Sequence, residues 1–103
     1  MILYSITVSI DPIVAEEWLN WMRSVHIPEV MSTQCFTESR ISKILVDDEN
    51  DISYSIIYVC PNQELMDEYT SKHAPRLQKD HSQRYEGRFA AFRTLLNVIE
   101  EFK

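Results

Sequence analysis

The order of elements predicts an α+β fold. One domain over residues 1–103 runs strand, helix, strand, strand, helix, strand, so that a four-stranded antiparallel sheet carries two helices on one face. Three observations predict it. Residues 2–10 alternate, with Ile2, Tyr4, Ile6, Val8 and Ile10 on one side and Leu3, Ser5, Thr7 and Ser9 on the other. Two stretches, to about Ser24 and over roughly 63–85, space apolar residues by three and four. Between them, two β-rich stretches flank the run Asp47-Asp48-Glu49-Asn50-Asp51, a turn built from Asp and Asn in place of glycine.

Each element has its own signals. Asp11-Pro12 reads as a helix start, a carboxylate at the N-cap followed by a proline at the first helical position. Val14, Trp18, Met22 and Val25 form the stripe of that helix, widened by Leu19 and Trp21. His26-Ile27-Pro28 is expected to break it, because the residue before a proline avoids helical geometry, and a short turn of helix over Pro28 to Ser32 follows. Cys35 to Val46 and Ile52 to Cys60 are the hairpin strands, and Asn62 is placed to cap the second helix. Pro75 falls inside that helix and predicts a kink or break near His73-Ala74. Gly87 stands where a chain leaving a helix needs a left-handed residue. Arg88 to Phe102 is assigned to the last strand because Phe, Thr, Val and Ile cluster there. No internal repeat is visible. The arrangement is the ferredoxin-like one.

Composition limits function. A single glycine among 103 residues rules out glycine-rich phosphate loops, and a net charge of −6 disfavours nucleic acid and anionic membrane surfaces as partners. No apolar run approaches the roughly 18 residues of a membrane span, and the N-terminus reads as a strand rather than a signal peptide. Two cysteines, Cys35 and Cys60, fit buried free thiols, and a cytoplasmic location is expected. Two helices cover one sheet face only, yet the last two strands are apolar on both sides. A second copy packed through the helix-free face, a homodimer, is the economical solution.

The stretches Trp18-Leu19-x-Trp21-Met22, His26-Ile27-Pro28-x-Val30-Met31, His73-Ala74-Pro75-x-Leu77, His81 and Phe92-Arg93-Thr94-Leu95-Leu96 resemble a family of short bacterial proteins known as a domain of unknown function. Its wider relatives are the dimeric α/β-barrel proteins, including the antibiotic-biosynthesis monooxygenase-like and haem-degrading enzymes. The resemblance implies the fold and a dimeric α/β barrel, and no assigned reaction. Haem degradation would call for an asparagine on the first strand, a tryptophan and a helix histidine. His81 matches the last, but the first strand offers only Ser5, Thr7 and Ser9, and both tryptophans lie on the first helix.

The candidate pocket comprises Trp21, His26, Tyr58, His73, His81 and Arg93. His73 and His81 are eight residues apart, about 80° around a regular helix, and so are expected to face one cleft. His26 lies in the break after the first helix, beside the second. Arg93 interrupts an apolar strand, where a charge needs a partner. Arg84 and Arg88 are set against Asp80, Glu86 or an anionic ligand. Metal-ligand spacings are absent, so neither metal nor cofactor is expected. The leading expectation is a small apolar or anionic molecule held between helices and sheet in a cavity of roughly 300 Å3 or more lined by two histidines. The alternative is a dimeric, non-enzymatic protein-interaction module.

Overall fold

The structure, a computed structural model, describes residues 1–103. Its strands are β1 (Ile2–Ile10), β2 (Glu38–Lys43), β3 (Ser53–Cys60) and β4 (Phe89–Asn97), in the order β2-β3-β1-β4 with every pair antiparallel. Two helical arms connect them. The first is α1 (Ala15–Trp21), a π-helical turn at Met22–His26, and α2 (Ile27–Ser32); the second is α3 (Gln63–Glu68), a π-helical turn at Tyr69–His73, and α4 (Ala74–Arg84). The ferredoxin-like architecture read from the sequence is the one observed. No helix is long and apolar enough to cross a membrane.

Register explains why the core lies on one face. Ile6 sits between Ile56 and Arg93, and Tyr4 between Tyr58 and Leu95, so the even positions of β1 share a side with Ile56, Tyr58 and Cys60. Apart from Ile6, which is half-buried against them, these residues are buried beneath Trp18, Met22, Val30, Met66, Tyr69 and Leu77 of the arms. The opposite face carries Leu3, Ile57, Val59, Phe92 and Leu96 among serines and threonines, and no helix covers it. Phe92 is 64% exposed there.

Both prolines interrupt their arms without ending them. A proline lacks an N–H and crowds the carbonyl four residues earlier, and a π turn takes up the misfit by adding a residue to one loop of the helix. Here the first arm therefore runs on to Ser32, whereas a break at His26-Ile27-Pro28 was expected. The carbonyls four residues before Pro28 and Pro75 belong to Ser24 and Ser71, whose hydroxyls donate to Asn20 O at 2.6 Å and Asp67 O at 2.9 Å. Such back-bonding bends helices. The two halves thus share Ser-x-His-x-Pro-x-(Val/Leu), ending in the buried Val30 and Leu77. This short repeat stands in the sequence at residues 24–30 and 71–77, against the expectation of none, and the topology that pairs the arms gives it a meaning.

Other boundaries also shift. α1 starts at Ala15, and the Asp11 carboxylate accepts from Ile13 N at 2.9 Å in a turn that precedes the helix. Asn62 caps α3 by accepting from Leu65 N at 2.9 Å. β2 is shorter than Cys35–Val46, because Cys35 and Phe36 are buried in the approach to it. β4 ends at Asn97, and the chain beyond leaves Ile99 and Phe102 exposed. Arg84 and Arg88 pair with Glu17 and Asp11, in place of the partners expected.

Gly87 has φ +74°, the left-handed value its place after α4 demands, and a Cβ built on it would touch nothing within 4 Å. Its replacement by alanine is therefore a pure backbone effect. Gly87→Ala should cost about 1 kcal/mol, a fall of roughly 4–8 °C in Tm by calorimetry; a fall several times larger would show that packing, too, is disturbed.

Candidate functional site

A cavity of about 30 Å3 opens between the arms and the sheet. Its sheet side is Tyr4, Ile6, Val8, Ile56, Tyr58, Ala91 and Arg93, and its helix side includes Met22, His26, Tyr69, Leu77, Gln78 and His81. That volume holds about one or two waters, well below the 300 Å3 expected, because Tyr4, Tyr58, Tyr69 and Phe36 stack into the space with ring centroids 4.7–6.1 Å apart.

The lining is apolar in composition but polar in what it offers. Tyr4, Tyr58 and Tyr69 are all at most 5% exposed, yet their hydroxyls bond to no other protein group. Nor do His26, Gln78 and Arg93 make a side-chain hydrogen bond or ion pair. The one bond made by a lining side chain runs from Trp18 Nε1–H to His81 Nε2 at 2.9 Å, between residues 63 apart in sequence. The only sealed polar side-chain atom without a partner is Ser39 Oγ. The cavity hydroxyls and the second nitrogen of His81 are therefore in touch with open space.

Electrostatics follows from burial. His26 and His81 are each lowered to about 4, chiefly by desolvation of the charged form; Arg93 adds to both, and His26 adds to His81, while Asp80 works the other way on His26. Both imidazoles are neutral at pH 7. Burial likewise pushes the Tyr58 and Tyr69 phenols up, so they remain hydroxyl donors. Cys35 and Cys60 are free and buried. No group of three or more His, Cys, Asp or Glu residues is placed to hold a metal ion.

Of the residues singled out from the sequence, His26, Tyr58, His81 and Arg93 line this cavity together, with the His26 and His81 rings 5.7 Å apart. Trp21 lies behind them. It stacks on His26 at 5.1 Å and under the Arg84 guanidinium at 5.2 Å. His73 is elsewhere, half-buried beside Tyr69 at 6.3 Å. The 80° separation assumed a regular helix, but His73 closes the π turn with φ −118°, which carries it away from the His81 face. Trp18, Tyr4, Tyr69 and Gln78 were missed as site residues. Their spacing signals only a buried face.

Comparison with known proteins agrees with this geometry at the level of fold. The chain is similar to a dimeric ferredoxin-like protein from an uncultured marine organism (16% identity, 100% of this chain and 99% of that one, TM-score 0.72). It is also similar to SnoaB, a cofactor-independent oxygenase from Streptomyces nogalater (13% identity, 97% and 94% covered, TM-score 0.68), and to an antibiotic biosynthesis monooxygenase (14% identity, 97% and 100% covered, TM-score 0.62). No curated protein matches it. Residues 1–99 match the family described as Domain of unknown function (DUF4286), and the chain belongs to that family.

Proposed function

We propose that the protein is a homodimeric receptor for a small anionic molecule, seated between the helix layer and the sheet with its charged head against Arg93, His26 and His81. The observation that carries this reading is the convergence on one cavity of polar groups that the protein leaves unbonded: three tyrosine hydroxyls, the His26 imidazole, the second nitrogen of His81, an amide and a guanidinium. The tyrosines and His81 are buried, where polar groups are ordinarily satisfied within the protein and leaving them free is costly, while His26 and Gln78 are half-buried and Arg93 is exposed at the cavity's edge. An oxyanion supplies acceptors to the donors and a counter-charge to Arg93. The 30 Å3 suits a carboxylate-sized head and excludes a larger body, which would lie along the exposed side of β4. Tyr58 serves as a wall and donor, and Trp21 as the backing of His26.

The dimer pairs the helix-free sheet faces, where Phe92 and Leu96 are the largest exposed apolar groups. The fold likeness to a dimeric ferredoxin-like protein supports it. Free buried thiols fit a cytoplasmic setting. An oxygenase reading rests on fold likeness alone. The interaction-module reading has one observation in its favour, the exposed Ile99 and Phe102 beyond β4.

Native mass spectrometry of protein purified without added cofactor tests both halves. Twice the 12.2 kDa chain mass is expected, with conversion to the single chain by Phe92→Glu. In thermal-shift titrations acetate and benzoate should raise Tm, and Arg93→Ala should weaken that response at least tenfold. A monomeric wild type would overturn the dimer. No response to either carboxylate would overturn the receptor reading.

A further inference from the structure

An indole N–H can only donate. The bond from Trp18 Nε1 to His81 Nε2, at 2.9 Å, therefore requires a lone pair on Nε2. A neutral imidazole with its lone pair there carries its proton on Nδ1. Trp18 itself has little freedom to move: it is wholly buried and packs on Tyr54 with ring centroids 5.1 Å apart. His81, only 7% exposed, is a wall of the cavity. Its Nδ1 has no protein partner and is not among the sealed atoms. The ring thus has one nitrogen committed to the core and one left to act as a donor. His26 differs, since neither of its ring nitrogens is engaged by the protein.

We propose that Trp18 is a positioning residue that holds His81 as a hydrogen-bond donor, so that His81 Nδ1–H and the Arg93 guanidinium together select a carboxylate and leave His26 as the cavity's free proton acceptor. This rests on the anion-receptor reading and narrows it. A ligand head offering acceptor oxygens meets two donors. A head of the same shape with an N–H in place of one oxygen sets donor against donor, the arrangement that discriminates most strongly in buried sites. Acetate and acetamide are such a pair. His81 takes no part as a base, because its lone pair is used within the core.

Long-range 1H–15N NMR of labelled protein at pH 7 tests the first step without any ligand. Wild type is expected to show His81 as the Nδ1–H tautomer, and Trp18→Phe, which keeps an aromatic ring but has no donor, should shift it towards Nε2–H. Titrations followed by amide shifts then compare the probes. Wild type should prefer acetate to acetamide at least tenfold, and Trp18→Phe should reduce that preference to about threefold or less. If Trp18→Phe does not fold, His81→Met replaces it, since a thioether can accept weakly from the indole and carries no donor; a tenfold loss of acetate binding is then expected. Arg93→Ala should lose acetate while the His81 tautomer stays unchanged. An Nε2–H or evenly mixed His81 in wild type overturns the proposal. So does a Trp18→Phe protein that discriminates as wild type does. The expected tautomer with no binding of acetate fails the receptor reading, and the selecting role of His81 falls with it.

Discussion

Trp18→Ala is expected to destabilise the fold by about 4–5 kcal/mol, lowering Tm by roughly 20 °C or more. Truncating a buried tryptophan removes its transfer free energy and leaves a hole, which together cost about 3–5 kcal/mol. Trp18 is 0% exposed and packs against Tyr54 of β3 and His81 of α4, so no neighbour on a single element can relax into the space. The change also leaves His81 Nε2 without its donor, and an orphaned buried acceptor costs about 1–3 kcal/mol. The two losses share a site and do not simply add. At 4–8 °C per kcal/mol for a domain of this size, the range for Tm follows. Urea unfolding monitored by far-UV circular dichroism measures it, with Trp18→Phe as the contrast that retains most of the volume and loses chiefly the bond, for about 1–2 kcal/mol. A loss below 2 kcal/mol for alanine would show that the indole does not tie the two arms together.

Trp18 also marks the limit of what local sequence patterns reveal. The alternation in residues 2–10 specifies which side of β1 faces the helices, since a period of two admits no other reading. Asn62 and Gly87 were legible for equally local reasons, a side-chain acceptor before a helix and a residue free to take positive φ. The π turns were not legible. A proline announces that a helix is disturbed, but inserting one residue leaves no mark on composition. That extra residue turns the helix surface, so Val25 of the expected stripe is exposed and the neighbouring His26 reaches the cavity. The same effect removes His73 from the site. His81 was identified as a candidate, yet the group that defines its chemistry lies 63 residues away in the other arm. Tyr4 and Tyr69 carry hydroxyls that matter only once the cavity exists; along the chain they count as members of apolar faces.

Acid should unfold the protein earlier than its carboxylates alone would. His26 and His81 are each lowered from 6.5 to about 4, so between those values the unfolded chain binds close to two more protons than the folded one. Stability therefore rises with pH across this window. The contribution is full above about pH 6.5, declines as pH falls, and is gone once pH has passed below about 4. One pKa unit corresponds to 1.36 kcal/mol; with a discount for the solvent contact these rings retain, each imidazole accounts for about 2 kcal/mol and the pair for about 4. Asp11, held low by the Ile13 N–H and by Arg88, loses its charge only below 3.8 and lies outside the window. Urea midpoints at pH 7, 6, 5 and 4.5 should thus drop steadily for wild type and hold nearly level for a folded His26→Gln, His81→Gln double variant. A wild-type midpoint unchanged from pH 7 to 5 would contradict the neutral pair. Saturating acetate adds a further expectation. A carboxylate beside Arg93 raises both imidazoles towards their unfolded value, so the same measurement should show a shallower slope with the anion present. Sodium chloride at equal ionic strength should leave the slope as it was, because screening reaches exposed charges far better than buried ones.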